Sequence, residues 1–393
     1  MADLVIFEIG EIMKALKLNT LFVAVTAAIL SAHITSVFAD QVVRIGFVAP
    51  LTGGSAYAGK DSENGARLAV DEINSEGLVL GGSKVTLVLD SQDDANDPRT
   101  ATQVAQKLVD DQVAAVIGHG TSGTSIPASK IYSDAGIVQL SPSATNPQYT
   151  LQGFKTTYRV VATDAQQGPA LAAYATGALK VRRVAVVDDA SAYGQGLADE
   201  FVKKAKSLGV IVVSRDTTSD KTIDFRAILT KIKGQTPDAI MYGGMDATVG
   251  PFAKQAGQLG IKAKILAGDG ACTAQLASLA AAAADNVVCS EPGLGLEKMP
   301  GGVAFQKKYE ARFHEPIQIY APFSYDAVYI IVDAMKRANS TDRAKIVSAM
   351  PLTDYHGVIG ETQFDEHGDL KHGAISVYTY RSGKKVLIDA VKM

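Results

Sequence analysis

Short apolar runs alternate with longer amphipathic stretches along this chain, and the whole alternation occurs twice. The first series places strands near residues 42–50, 84–90, 113–118 and 136–140, with helices at 61–76, 98–109 and 126–135 between them. The second places strands at 182–188, 210–214, 239–244 and 264–268, with helices at 194–207, 224–233 and 249–259. A strand that returns parallel to itself needs a covering crossover, so this rhythm builds a parallel sheet with helices on both faces. Two series with a break near residue 160 make two such lobes. The fold class is therefore α/β, with two doubly wound parallel-sheet lobes.

The last quarter leaves the rhythm. Residues 301–313, 324–338 and 342–349 have helical spacing, and 375–380 with 385–388 form a closing hairpin. This helical stretch has too few strands for a sheet of its own, so it should return to cover an earlier lobe. Ligands in such sheets bind beyond the carboxyl ends of the strands, and two facing lobes would enclose one.

Two strand-to-loop transitions, residues 113–125 and 136–145, carry the chemistry. Each is a buried-strand run that breaks into Gly, Ser, Thr and Pro. The first loop opens a helix, whose free amides and dipole attract an anion. Small hydroxyl residues at neighbouring strand ends suit a carboxylate. The stretch 118–123 also matches the Gly-x-Gly-x-x-Gly pattern of dinucleotide sites. The next strand, however, ends in Leu140-Ser141-Pro142-Ser143 without the acid that would hold a ribose, so that reading is set aside.

Composition narrows the setting. A net charge of −3 with no basic block argues against a nucleic-acid partner. Lys14 and Lys17 precede an apolar stretch at 18–32 and small residues at Val37 and Ala39, the pattern of a secretory signal ending before Asp40. Asp3, Glu8 and Glu11 do not fit a signal, which points to Met13 as the true start. An N-terminal membrane anchor is the alternative. Removing 1–39 takes away two lysines and three acids, so the mature charge is about −2. The only two cysteines, Cys272 and Cys289, permit one bridge in an exported chain, with two buried thiols as the alternative. Neither they nor the six histidines have the spacing of a metal site or a catalytic triad, so no metal, cofactor or enzyme activity is expected. His119 reads as a hydrogen-bonded packing residue.

Several ordered motifs together resemble the leucine/isoleucine/valine-binding proteins, type I periplasmic binding proteins that serve ABC amino-acid importers. They are Gly-Gly-Ser-Ala-Tyr-Ala-Gly at 53–59, Asp94 with Asp97-Pro98, Val-Ile-Gly-His at 116–119, and Ser-Pro-Ser-Ala-Thr at 141–145. Tyr-Gly-Gln-Gly at 193–196, Tyr-Gly-Gly at 242–244 and Gly-Glu-Thr-Gln-Phe-Asp at 360–365 complete the set. The resemblance implies a multi-strand hinge between the lobes. It divides the chain into a signal at 1–39, an N-terminal lobe of 40–162 and 293–373, and a C-terminal lobe of 163–292 and 374–393.

The same resemblance assigns the ligand's carboxylate to Ser122, the Ser143 backbone and Thr145, its ammonium to Asp269, and the cleft tyrosine to Tyr193. Tyr57, Ala58, Gly120, Met245 and Tyr320 would wall the side-chain pocket, with only Tyr320 keeping the family's ring. The family's disulfide positions fall on Asn96 and Thr121, so a Cys272–Cys289 bridge would be a different one. The expected function is capture of a free amino acid, branched-chain or related, by hinge closure in the periplasm. The protein would act as a monomer and deliver the ligand to membrane permease subunits. A ligand of the amide or small-carboxylate class, a ligand-sensing module and a nucleotide-dependent enzyme are the alternatives.

Overall fold

A computed structural model describes residues 13–14 and 40–392. The expected signal segment at 1–39 therefore lies, but for Met13 and Lys14, outside the described residues. Among the described residues no helix is long and apolar enough to cross a membrane.

The first sheet contains β1 (Gln41–Ala49), β2 (Leu78–Leu80), β3 (Ser83–Asp93), β4 (Ala115–Gly118), β5 (Val138–Ser141) and β6 (Thr157–Arg159). Its order is β2-β3-β1-β4-β5-β6, parallel except for β2. The second is built from β7 (Arg183–Asp188), β8 (Ile211–Thr217), β9 (Ala239–Gly243), β10 (Lys264–Ala267) and β11 (Val287–Glu291). A small separate pair, β12 (Tyr355–His356) and β13 (Glu361–Thr362), follows before the hairpin β14 (Ala374–Arg381) and β15 (Lys384–Lys392). The second sheet is ordered β15-β14-β11-β10-β9-β7-β8, with only the hairpin antiparallel. β4 and β5 are buried at every position, as strands covered on both faces must be.

Both sheets repeat one spatial sequence: β3-β1-β4-β5-β6 in the first matches β8-β7-β9-β10-β11 in the second. In each, successive crossovers diverge at one point, between β1 and β4 or between β7 and β9. A crevice opens there beyond the strand ends.

The C-terminal helices return to the first lobe as expected. Helix Ala321–Ala338 packs on helix Ala56–Glu76, and Val328, Ile331 and Met335 join Ile45, Phe47 and Ile73 in one core. Each such side chain contributes about 1.5–3 kcal/mol on full burial. The two helices approach so closely that a Cβ on Gly65 would lie 2.1 Å from the Ala321 carbonyl oxygen. In the second lobe, Tyr242 and Phe252 pack on one face of the sheet, and Val186, Leu197 and Met241 on the other.

Helix Ala56–Glu76 begins earlier than the periodicity from Asp61 suggests, because the Gly53 carbonyl accepts the Ala56 amide and closes a turn. Tyr57 therefore stands on a helix and not in a Gly-rich loop. The short strands β2 and β11 are additions that the sequence pattern did not mark. The alanines at 280–284 pass from the end of helix Ala274–Ala280 into a 3-10 turn, Ala281–Asn286. Cys272 and Cys289 are bonded, with their Cα atoms 5.4 Å apart, tying the loop after β10 to β11. Closing a loop of this size stabilises the fold by about 3 kcal/mol in the chain-entropy account.

Asp326 gives the fold a pH dependence. It is fully buried on helix Ala321–Ala338 and accepts the amides of Val358 and Ile359 at 3.0 and 2.8 Å. Burial pushes its carboxyl up to about 7, against the pull of those two amides. The folded state thus favours the protonated acid. That contribution is complete below the unfolded pKa near 4 and is lost as pH rises through 7. Urea denaturation should show wild type losing roughly 3 kcal/mol relative to Asp326→Asn between pH 4 and 7. Parallel pH profiles for the two proteins would contradict the assignment.

Candidate ligand-binding cleft

The loops after β1, β4 and β5 face those after β9 and β10 across about 570 Å³ of empty space, partly open to solvent. A third wall comes from residues 318–320, held in place by a single acid. The Asp61 carboxylate accepts the amides of Gln318, Ile319, Tyr320 and Ala321 at 2.9–3.2 Å, and the Tyr309 hydroxyl at 3.2 Å. Burial raises the Asp61 carboxyl above its ordinary range, and the four amides oppose that rise. The acid thereby fixes the backbone that carries Tyr320.

Asp269 follows β10 and is only 2% exposed. Its Oδ1 accepts from Gln167 Nε2 at 2.9 Å and from the Tyr193 hydroxyl at 3.0 Å, and its Oδ2 accepts from the Tyr320 hydroxyl at 2.6 Å. Ser290 donates to Gln167 Oε1 at 2.8 Å, which turns the amide nitrogen toward the acid. Asp269 does not cap the following helix, Ala274–Ala280; Thr273 does. Among the described residues no cationic side chain pairs with it. Burial raises its carboxyl, while the three donors pull it down.

A second acid, Asp164, lies near Asp269. It is fully buried. Burial, then the nearby Asp269, pushes its carboxyl well above the usual range. The neighbouring Thr145 hydroxyl pulls it the other way.

The hydroxyl loops provide the opposite polarity. Ser122 starts helix Ser122–Asp134, and its Oγ accepts the Asn146 amide at 3.2 Å, leaving its proton to donate elsewhere. Ser143 donates its hydroxyl to the Gly120 carbonyl at 3.0 Å, and its amide reaches the Ser141 hydroxyl at 3.4 Å. Gly120 is pressed against the end of β1: a Cβ there would meet Pro50 Cδ at 2.7 Å. His119 is a buried packing residue, bonded to Asp94 and to the Tyr132 hydroxyl at 3.0 Å each. Thr121 donates to Asn96 at 2.7 Å.

Of the residues singled out from the sequence, Tyr57, Ala58, Gly120, Ser143, Met245, Asp269 and Tyr320 line one cavity. Ser122, Thr145 and Tyr193 are buried and do not form its surface, and Tyr193 braces Asp269 from behind. The sequence did not single out Asp61, Asp164, Gln167, Asp246 or Thr273. Asp246 could have been noticed, since it directly follows Met245 and opens helix Asp246–Gln258. Asp61 and Asp164 read in sequence like ordinary acids near helix starts, and only folding reveals what surrounds them.

Side-chain hydrogen bonds join the lobes across the cleft. Tyr57 donates to Asp246 at 2.5 Å, Tyr320 donates to Asp269, and Asn146 Nδ2 donates to the Ala192 carbonyl at 2.6 Å. At the hinge the Ala162 amide donates to the Pro292 carbonyl at 3.1 Å. Two parallel-sheet lobes closed over a buried, hydroxyl- and carboxylate-lined cleft define a type I periplasmic binding protein fold.

Comparison with known proteins agrees. Residues 42–385 match the periplasmic binding protein family, and the chain belongs to that family. It is a binding protein and not an enzyme. It is 35% identical over 366 residues to a Leu/Ile/Val-binding protein homolog 1 of Brucella melitensis, covering 93% of this chain and 97% of that one. A crystal structure of a leucine-binding protein from Thermotoga maritima superposes with a TM-score of 0.82 at 29% identity, over 89% of this chain and 98% of the other. A branched-chain amino acid transporter substrate-binding protein of Streptococcus pneumoniae, solved with isoleucine, gives 0.81 at 29% identity, over 90% and 100%.

Proposed function

We propose that this chain binds a free amino acid, branched-chain or related, in the interlobe cleft and delivers it to the permease of an ABC importer. The observation that carries the reading is Asp269: a buried carboxylate at the cavity wall, surrounded by neutral donors and without a cation. A ligand's ammonium is the group such a site lacks. The ligand's carboxylate would lie at the loops of Gly120, Thr121 and Ser143, with the buried Ser122 hydroxyl directly behind them. The buried Thr145 hydroxyl would stand with Ser122 on the carboxylate side.

Each charge-assisted hydrogen bond contributes about 1.5–3 kcal/mol net. Several of them with one buried alkyl group exceed the roughly 8 kcal/mol of a micromolar complex, leaving a surplus for hinge closure. The lobes that close are taken as 40–162 with 293–373, and 163–292 with 374–393. The protein works in the periplasm as a monomer after removal of residues 1–39; membership of the periplasmic binding protein family supports the location.

The test is calorimetry on protein freed of carried-over ligand by unfolding and refolding. At least one of leucine, isoleucine, valine and threonine should bind with micromolar affinity or better. Absence of binding by all twenty amino acids would refute the reading.

A further inference from the structure

The cavity holds a second acid away from the hydroxyl loops. Asp246, 3% exposed, forms part of the wall together with Tyr57 and Met245. Its Oδ2 accepts both the Tyr57 hydroxyl at 2.5 Å and the Thr273 hydroxyl at 2.6 Å, whereas its Oδ1 receives no side-chain hydrogen bond among the described residues. As the first residue of helix Asp246–Gln258 it gains from the helix dipole. No Lys, Arg or His is found among the residues lining this cavity, so its formal charge comes from Asp246 and Asp269 alone.

An aliphatic amino acid brings one ammonium, and Asp269 takes it. The alkyl group would then be buried against a carboxylate whose Oδ1 has no side-chain donor among the described residues, only the Ala247 amide bonding the group from the backbone, an unfavourable pairing. We infer that Asp246 selects amino acids whose side chain carries an O–H or N–H donor, over aliphatic ones of the same shape. This rests on the amino-acid reading above and specifies its ligand class. Sites built to receive a hydrogen bond discriminate strongly against the analogue that lacks it, because the buried polar group is then left unpaired. Tyr57 is held as a donor by the same acid: burial and the adjacent Asp246 push its hydroxyl far above the ordinary tyrosine range.

Calorimetry with near-isosteric pairs tests this on the ligand-free protein, using threonine against valine and 2,4-diaminobutyrate against norvaline. The donor member should bind at least tenfold tighter in one pair or both. Asp246→Leu should bring that ratio to one or below. Asp246→Asn, which keeps the shape, should narrow the diaminobutyrate preference should the leucine variant fail to fold. Equal or tighter binding of the aliphatic member in both pairs overturns the inference and leaves the amino-acid reading standing. Failure of all four, with no other amino acid binding, overturns both.

Discussion

Asp269→Asn is expected to weaken amino-acid binding by between about a hundredfold and a few thousandfold while the protein still folds. Removing one partner of a buried ion pair costs roughly 3–5 kcal/mol, because the remaining charge stays buried without compensation; each 1.4 kcal/mol is about tenfold in affinity. The empty protein should not suffer in the same way. Asp269 is a buried acid whose carboxyl burial already pushes up, so a neutral amide there removes a desolvation cost. The thermal midpoint of the empty variant should therefore match wild type or exceed it, and the ligand-induced rise in midpoint should vanish. A loss of affinity smaller than tenfold, with folding intact, would mean that the ammonium sits elsewhere.

The second large effect falls on Arg159, whose side chain is 0% exposed at the end of β6. Its Nη1 donates to the carbonyls of Ala144 and Asn146 at 2.7 and 3.0 Å, and its Nη2 to the Thr150 hydroxyl at 2.6 Å. Its Nε meets Asp369 at 2.6 Å, and its guanidinium lies over the Tyr149 ring. One side chain thus braces the 143–146 loop that carries Ser143 and Thr145.

Arg159→Met keeps most of the volume but leaves two carbonyls, a hydroxyl and a carboxylate without their donor. At roughly 1–3 kcal/mol for each buried group stranded in this way, discounted for relaxation and for the partial exposure of Asp369, stability should fall by about 3–5 kcal/mol. Urea denaturation measures that fall. Ligand affinity, determined at a temperature where the variant is still folded, should drop as well, because the loop loses its fixed geometry. A stability change under 1 kcal/mol would show that water replaces the guanidinium at little cost.

Much of the architecture follows from chain-local rules. The alternation of apolar runs with amphipathic stretches determines parallel sheets covered on both sides, and its restart near residue 160 determines two lobes. Asp97-Pro98 starts its helix as the residue types require, with the Asp97 side chain accepting the Arg99 and Thr100 amides. Burial on both faces selects the same residues whatever the partner elements are, which is why such patterns can be read from one chain.

The site depends on more than that. Asp61 and Tyr320 lie about 260 positions apart, and nothing local to either indicates that one acid anchors the backbone of the other. Tyr57 and Asp246 meet only because two sheets with the same strand order face each other across a hinge, so each switch point opens toward its counterpart. A carboxylate near a helix start looks the same in sequence whether water or protein surrounds it. Desolvation and charge pairing are properties of the folded neighbourhood, and the tertiary structure alone decided which acids are buried at the cleft.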